Sequence, residues 1–146
     1  MSKFLHTMVR VSSIDETLRF FSLLGFKEVS RYDNEQGRFT LVFIASEKDY
    51  SQALASKAPM IELTHNWDEV EYDSGRNFGH IAIAVDDIYA VCKTLMDNNI
   101  KINRPPRDGR MAFVKTPDNI SIELLQSGNP KEIMDPWASM PNIGTW

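Results

Sequence analysis

The chain has 146 residues, 42% of them hydrophobic and 25% charged, a mix that suits one globular core and excludes a disordered, collagenous or coiled-coil chain. Sixteen Lys and Arg against twenty Asp and Glu leave a formal net charge of −4, which argues against nucleic acid as a partner, because neutralising phosphates takes a basic excess. Cys92, the single cysteine, cannot close an internal disulfide, the longest apolar runs (Leu41 to Ala45 and Ile81 to Val85) cannot span a membrane, and no signal-peptide core follows Met1; a cytoplasmic protein without a membrane partner is expected.

In chain order, Leu5, Thr7, Val9 and Val11 alternate with His6, Met8 and Arg10, the period-two pattern of a strand buried on one face. Ser13 followed by Glu16 is a capping-box signature, and Ile14, Leu18, Phe21 and Leu24 continue at helical spacing to a stop at Gly25. Gly37 marks a hairpin turn before a strand over Arg38 to Ala45, and a further strand is read over Met60 to Thr64. A second strand, through Ile81, Ile83 and Val85, leads to the helix cap Asp87 and the stripe Ile88, Cys92 and Leu95. Cys92 therefore reads as a small core residue and not a nucleophile. Asp108-Gly109 marks a turn, followed by strands over Met111 to Lys115 and Ile120 to Leu125. The tail after Ser127, with its prolines, Trp137 and Trp146, is too irregular for either element and reads as a packed surface arm.

The chain repeats itself once. Phe4-Leu5-His6-Thr7-Met8-Val9-Arg10-Val11 matches Phe78-Gly79-His80-Ile81-Ala82-Ile83-Ala84-Val85, and the match continues to Phe26-Lys27 against Ile100-Lys101. Gly37-Arg38-Phe39 then meets Gly109-Arg110-Met111, and Ile61-Glu62-Leu63 meets Ile122-Glu123-Leu124. The first half is the longer, and the polar stretch Ser46 to Pro59 is the natural place for the excess. The fold expected is α+β, one domain over 1–146 built of two tandem βαβββ modules, about 3–66 and about 76–127, with an arm over 128–146.

Strand alternation puts His6 on a face with Met8 and Arg10, and His80 on a face with Ala82 and Ala84. Glu62 lies between Ile61 and Leu63, and Glu123 between Ile122 and Leu124; a carboxylate so placed is costly to bury unless it is paired or binds a metal. Two repeats related by a pseudo-twofold axis would bring two imidazoles and two carboxylates towards one point. That set suits a divalent transition metal with two positions left open for substrate. His65 falls on the Ile61/Leu63 face and reads as structural.

These stretches, together with Ile61-Glu62-Leu63-Thr64-His65-Asn66-Trp67 and Thr116-Pro117-Asp118 before Ile122-Glu123-Leu124, resemble glyoxalase I (lactoylglutathione lyase), of the vicinal oxygen chelate superfamily, over nearly all of residues 4–126. The usual Asp-Pro-Asp-Gly turn is altered to Thr116-Pro117-Asp118-Asn119, and asparagine tolerates the left-handed conformation that glycine supplies. The resemblance implies the vicinal oxygen chelate fold and the metal ligands His6, Glu62, His80 and Glu123. It implies a homodimer with composite active sites, each taking two ligands from either chain. It implies one divalent metal per site, nickel or cobalt favoured by the compact length and zinc possible. The implied substrate is the glutathione–methylglyoxal hemithioacetal and the product S-D-lactoylglutathione. Glu123 is the implied base, with Glu62 its pseudo-symmetric partner. Arg10, Asn66, Arg76 and Arg104 match positions that grip glutathione. Arg31, Arg38 and Arg107 read as solvated surface arginines.

Other members of the superfamily offer alternatives. Extradiol dioxygenases and fosfomycin-inactivating thiol transferases use three protein ligands, where this chain has four candidates. An acyl-coenzyme A epimerase also moves a proton beside a carbonyl, and a metal-free sequestering module would not need all four residues.

Overall fold

The computed structural model describes residues 1–68, 71–73 and 75–146. The chain divides into two compact units, Met1–Asp73 and Ser74–Trp146.

The first unit runs β1 (His6–Arg10), α1 (Ile14–Ser22), β2 (Phe26–Asn34), β3 (Phe39–Ser46), α2 (Tyr50–Ser56) and β4 (Met60–Asn66). Its sheet has the order β1-β4-β3-β2, with β1 parallel to β4 and the other pairs antiparallel. The alternation in β1 is realised in part: Val9 and Val11 are buried and Thr7 half-buried, while His6, Met8 and Arg10 are exposed; Leu5, expected on the buried face, is exposed just ahead of the strand. Val42, Ile44 and Leu63 join them in the core, where α1 contributes Phe20 and Phe21. The Ser13 hydroxyl accepts from the Glu16 amide at 3.2 Å and so caps α1, and Gly25, at φ 80°, ends it. The surplus stretch between β3 and β4 folds as α2, whose Ala53 packs on Ala45 and Met60.

The second unit runs β5 (His80–Val85), α3 (Ile88–Asp97), β6 (Met111–Lys115) and β7 (Ser121–Gln126), in a sheet of order β5-β7-β6. Asp87 caps α3 by accepting from the Tyr89 and Ala90 amides. Cys92 lies fully buried on the inner stripe, and burial pushes its thiol up to about 12. Asn119 takes the left-handed conformation, φ 65°, in the turn before β7.

The strand expected after α3 shrinks to one isolated bridge, Arg104 to Phe113. Arg104 is followed by Pro105-Pro106, which carry no amide hydrogens and cannot extend the ladder. The arm takes over part of the pairing: the Ile143 amide donates to the Asn103 carbonyl at 2.8 Å, and the Asn103 side chain donates back at 3.0 Å. Elsewhere the arm is held by Trp137, buried and stacked flat on Tyr89, and by the Lys131 amide donating to the Gly109 carbonyl. That approach is so close that a side chain at Gly109 would strike the Lys131 backbone.

Candidate metal and substrate site

Each unit presents one imidazole beside one carboxylate. In the first, Met8 on β1 stands opposite Glu62 on β4, and His6 lies two residues back on the same face. In the second, Ala82 on β5 stands opposite Glu123 on β7, and His80 lies two residues back. The same diagonal in the same parallel register brings the same atoms together: His6 Nε2 lies 2.9 Å from Glu62 Oε2, and His80 Nε2 lies 3.1 Å from Glu123 Oε2. The glutamates are mostly shielded, 14% and 16% exposed, and the histidines more open, 35% and 43%.

A phenylalanine completes each arrangement. Phe43 pairs across β3 with Glu62 and meets His6 edge-on at 5.6 Å; Phe113 pairs across β6 with Glu123 and meets His80 edge-on at 5.4 Å. Sequence self-comparison missed this equivalence. The Gly37/Gly109 match places the two phenylalanines two residues out of step, because the hairpins before them differ in length, and only the position facing each glutamate reveals it.

The donor set fits a metal: imidazole and carboxylate are both ligands to divalent transition metals, and in each unit the two groups lie in direct contact, at 2.9 and 3.1 Å. Within either unit, two such donors are grouped and no set of three metal-ligating side chains occurs among the described residues.

The expected substrate-binding residues differ in their surroundings. Arg10 shares the β1 face with His6 and is exposed, as is Arg76 ahead of β5; neither has an ion-pair or hydrogen-bond partner among the described residues. Asn66, on the Glu62 face of β4, keeps its side-chain oxygen buried with no donor among the described residues, an unmet demand of the kind a ligand satisfies. Arg104 is engaged within its own unit: its guanidinium donates to the Met111 carbonyl and, at 3.1 Å, to Asp108. Arg31, Arg38 and Arg107, expected as solvated surface arginines, have local partners. Arg31 pairs with Glu28, Arg38 grips Asp68 with two bonds of 2.7 Å and lies over the Trp67 ring, and Arg107 holds the arm at Met140 and Asn142. His65 is structural, its Nδ1 3.1 Å from the Val11 carbonyl.

Residues 3–124 match the family described as the Glyoxalase/Bleomycin resistance protein/Dioxygenase superfamily. The chain is 40% identical to a probable lactoylglutathione lyase of Synechocystis sp. over 134 residues, 88% of this chain and 98% of that protein. It is 38% identical to the lactoylglutathione lyase of Neisseria meningitidis over 85% of this chain and 90% of that one. Among solved structures it is similar to the trypanothione-dependent glyoxalase I of Leishmania major, with TM-score 0.77 and 33% identity over 86% of this chain and 87% of the other.

Proposed function

We propose that this chain, which belongs to the Glyoxalase/Bleomycin resistance protein/Dioxygenase superfamily, is a metal-dependent lactoylglutathione lyase, a glyoxalase I that converts the hemithioacetal of methylglyoxal and glutathione to S-D-lactoylglutathione. The observation that carries the reading is the duplicated imidazole–carboxylate pair, with the same two atoms at nearly the same separation in both units. His6, Glu62, His80 and Glu123 are the proposed ligands. Nickel or cobalt is placed ahead of zinc because two imidazoles and two carboxylates leave two positions open on an ion of octahedral preference.

When bound, the ion supplies Lewis-acid polarisation to the two neighbouring oxygens of the substrate. The remaining work belongs to side chains. Glu123 takes the proton from the carbon that bears sulfur and returns it to the adjacent carbon, and Glu62 is its pseudo-symmetric partner. Flanked by His80 and Phe113, the Glu123 carboxylate is largely screened from bulk water, so the abstracted proton is held for return. Glutathione brings two carboxylates and several amide hydrogens. The guanidinium groups of Arg10 and Arg76, without partners among the described residues, suit the former, and the Asn66 oxygen, likewise without a donor among them, suits the latter. Arg104 completes the set with the guanidinium N–H groups not engaged by Met111 and Asp108.

The working form is a homodimer with composite sites. Each unit supplies two of the four proposed donors, and in this arrangement each site draws one pair from either chain. β1 and β5 are edge strands of their sheets, and Phe4, Leu5, Met8 and Phe78 on or beside them expose large apolar surface of the kind association buries. A cytoplasmic setting accords with Cys92 as a free thiol; among the described residues no helix is long and apolar enough to cross a membrane.

The test is turnover of methylglyoxal plus glutathione by chelator-stripped protein reloaded with nickel, cobalt or zinc, followed by thioester absorbance. Metal-dependent thioester formation is expected. Failure with every metal, together with no metal uptake, would transfer the site to a metal-free sequestering role. Metal uptake with turnover of an acyl-coenzyme A thioester alone would make it an epimerase.

A further inference from the structure

The two His–Glu–Phe arrangements are alike in register and ring geometry, yet their phenylalanines are backed differently. Phe43 packs against the aliphatic cluster of Ala45, Ala53 and Met60 that α2 creates. Phe113 instead carries an indole: Trp146 stacks on it with ring centres 5.8 Å apart and planes inclined by 23°. Trp146 itself is 42% exposed, so the indole is only partly covered.

Its placement is well supported. The Asn103–Ile143 exchange of hydrogen bonds, Arg107 on the Met140 carbonyl and Asn142, and the buried Trp137 stacked on Tyr89 hold the arm at successive points before Trp146. Phe113 is the residue facing the proposed base Glu123 across the strand pair and touching His80 edge-on. A series of ring contacts thus runs from His80, a proposed ligand, through the buried Phe113 to the partly open indole of Trp146.

We propose that Trp146, stacked on Phe113, is a specificity-determining residue that offers an aromatic platform to the carbon substituent of the 2-oxoaldehyde, favouring aromatic substituents over a methyl group. This rests on the lyase reading above and adds to it a residue outside the span matched by the superfamily. A flat aryl substituent gains an offset stack on the indole, whereas a methyl group gains little. The residue touches no reacting atom, so its effect falls on the choice between substrates and not on proton transfer.

The experiment compares kcat/KM for the glutathione hemithioacetals of phenylglyoxal and methylglyoxal in the metal-loaded parent, Trp146→Ala and Trp146→Phe. A ratio of two rates on one preparation is insensitive to the folded fraction, which separates specificity from a structural role of the arm. The phenylglyoxal-to-methylglyoxal ratio is expected to fall about 2- to 13-fold in Trp146→Ala and to recover most of its value in Trp146→Phe. An unchanged ratio, or one that rises because the indole had been a steric gate, would overturn the proposal while leaving the lyase reading intact. Titration with S-benzylglutathione supplies the independent arm. Dissociation constants should weaken by the same factor in Trp146→Ala, and this would uphold the platform even in a protein that turned over neither substrate. Equal binding by parent and variant would reject it.

Discussion

If a complete centre takes its donors from the first unit of one chain and the second unit of its partner, two inactive variants should restore each other. His6→Ala removes the imidazole that stands 2.9 Å from Glu62 and spoils only first units; Glu123→Gln removes the carboxylate that stands 3.1 Å from His80 and spoils only second units. In a mixed dimer one site combines both defects, and the other combines the sound second unit of the His6→Ala chain with the sound first unit of the Glu123→Gln chain. Random exchange of equal amounts makes about half the dimers mixed, each with one working site in two. Recovery should therefore approach about a quarter of wild-type activity, a binomial estimate resting on two-fold symmetry. The assay is thioester formation after mixing in mild denaturant and dilution, with dimer exchange verified by native mass spectrometry. Were all four ligands drawn from one chain, every site would keep a defect. Recovery indistinguishable from zero, with exchange verified, would refute the composite site.

Glu123→Gln alone should abolish turnover with the circular dichroism spectrum and melting temperature preserved, since the amide keeps the shape but cannot accept the proton; more than a tenth of the wild-type rate would remove Glu123 as base. Arg10→Ala and Arg76→Ala should each raise KM about 10- to 150-fold at nearly constant kcat, the worth of a charge-assisted bond to a remote carboxylate. A fall in kcat with KM unchanged would place the arginine at the transition state. Asp87→Ala should cost about 1–3 kcal/mol in urea unfolding, because it removes the cap of α3 and the exposed ion pair with Lys131. Lys131 first, and then the Ala90 and Tyr89 amides, hold the Asp87 carboxyl below the ordinary 3.8. The wild-type advantage should therefore be full above that value and shrink as pH falls below it; an advantage that grew on acidification would contradict the assignment.

Local chemistry decided what was legible in the sequence. Ser13 and Asp87 read as helix caps because a short polar side chain satisfies amides two or three residues away. His6, Met8 and Arg10 read as one face because strand alternation is a property of the backbone. Asn119 read as a left-handed turn residue because few other side chains tolerate that conformation. The repeat also disclosed which histidine goes with which glutamate. What the tertiary structure alone decided is non-local. The diagonal register of β1 on β4 and β5 on β7 sets the imidazole-to-carboxylate distance, and no single strand encodes its partner's register. The missing strand at Arg104 followed from two prolines together with an arm that comes from 40 residues further on to bond Asn103. Arg38 and Arg104 look alike in sequence to Arg10, yet among the described residues the first two have ion-pair partners and the last has none. That difference, like the stacking of Trp146 on Phe113, depends on which distant segments fold against each other, and such pairings are settled by packing across the whole unit, beyond the reach of residue type and spacing.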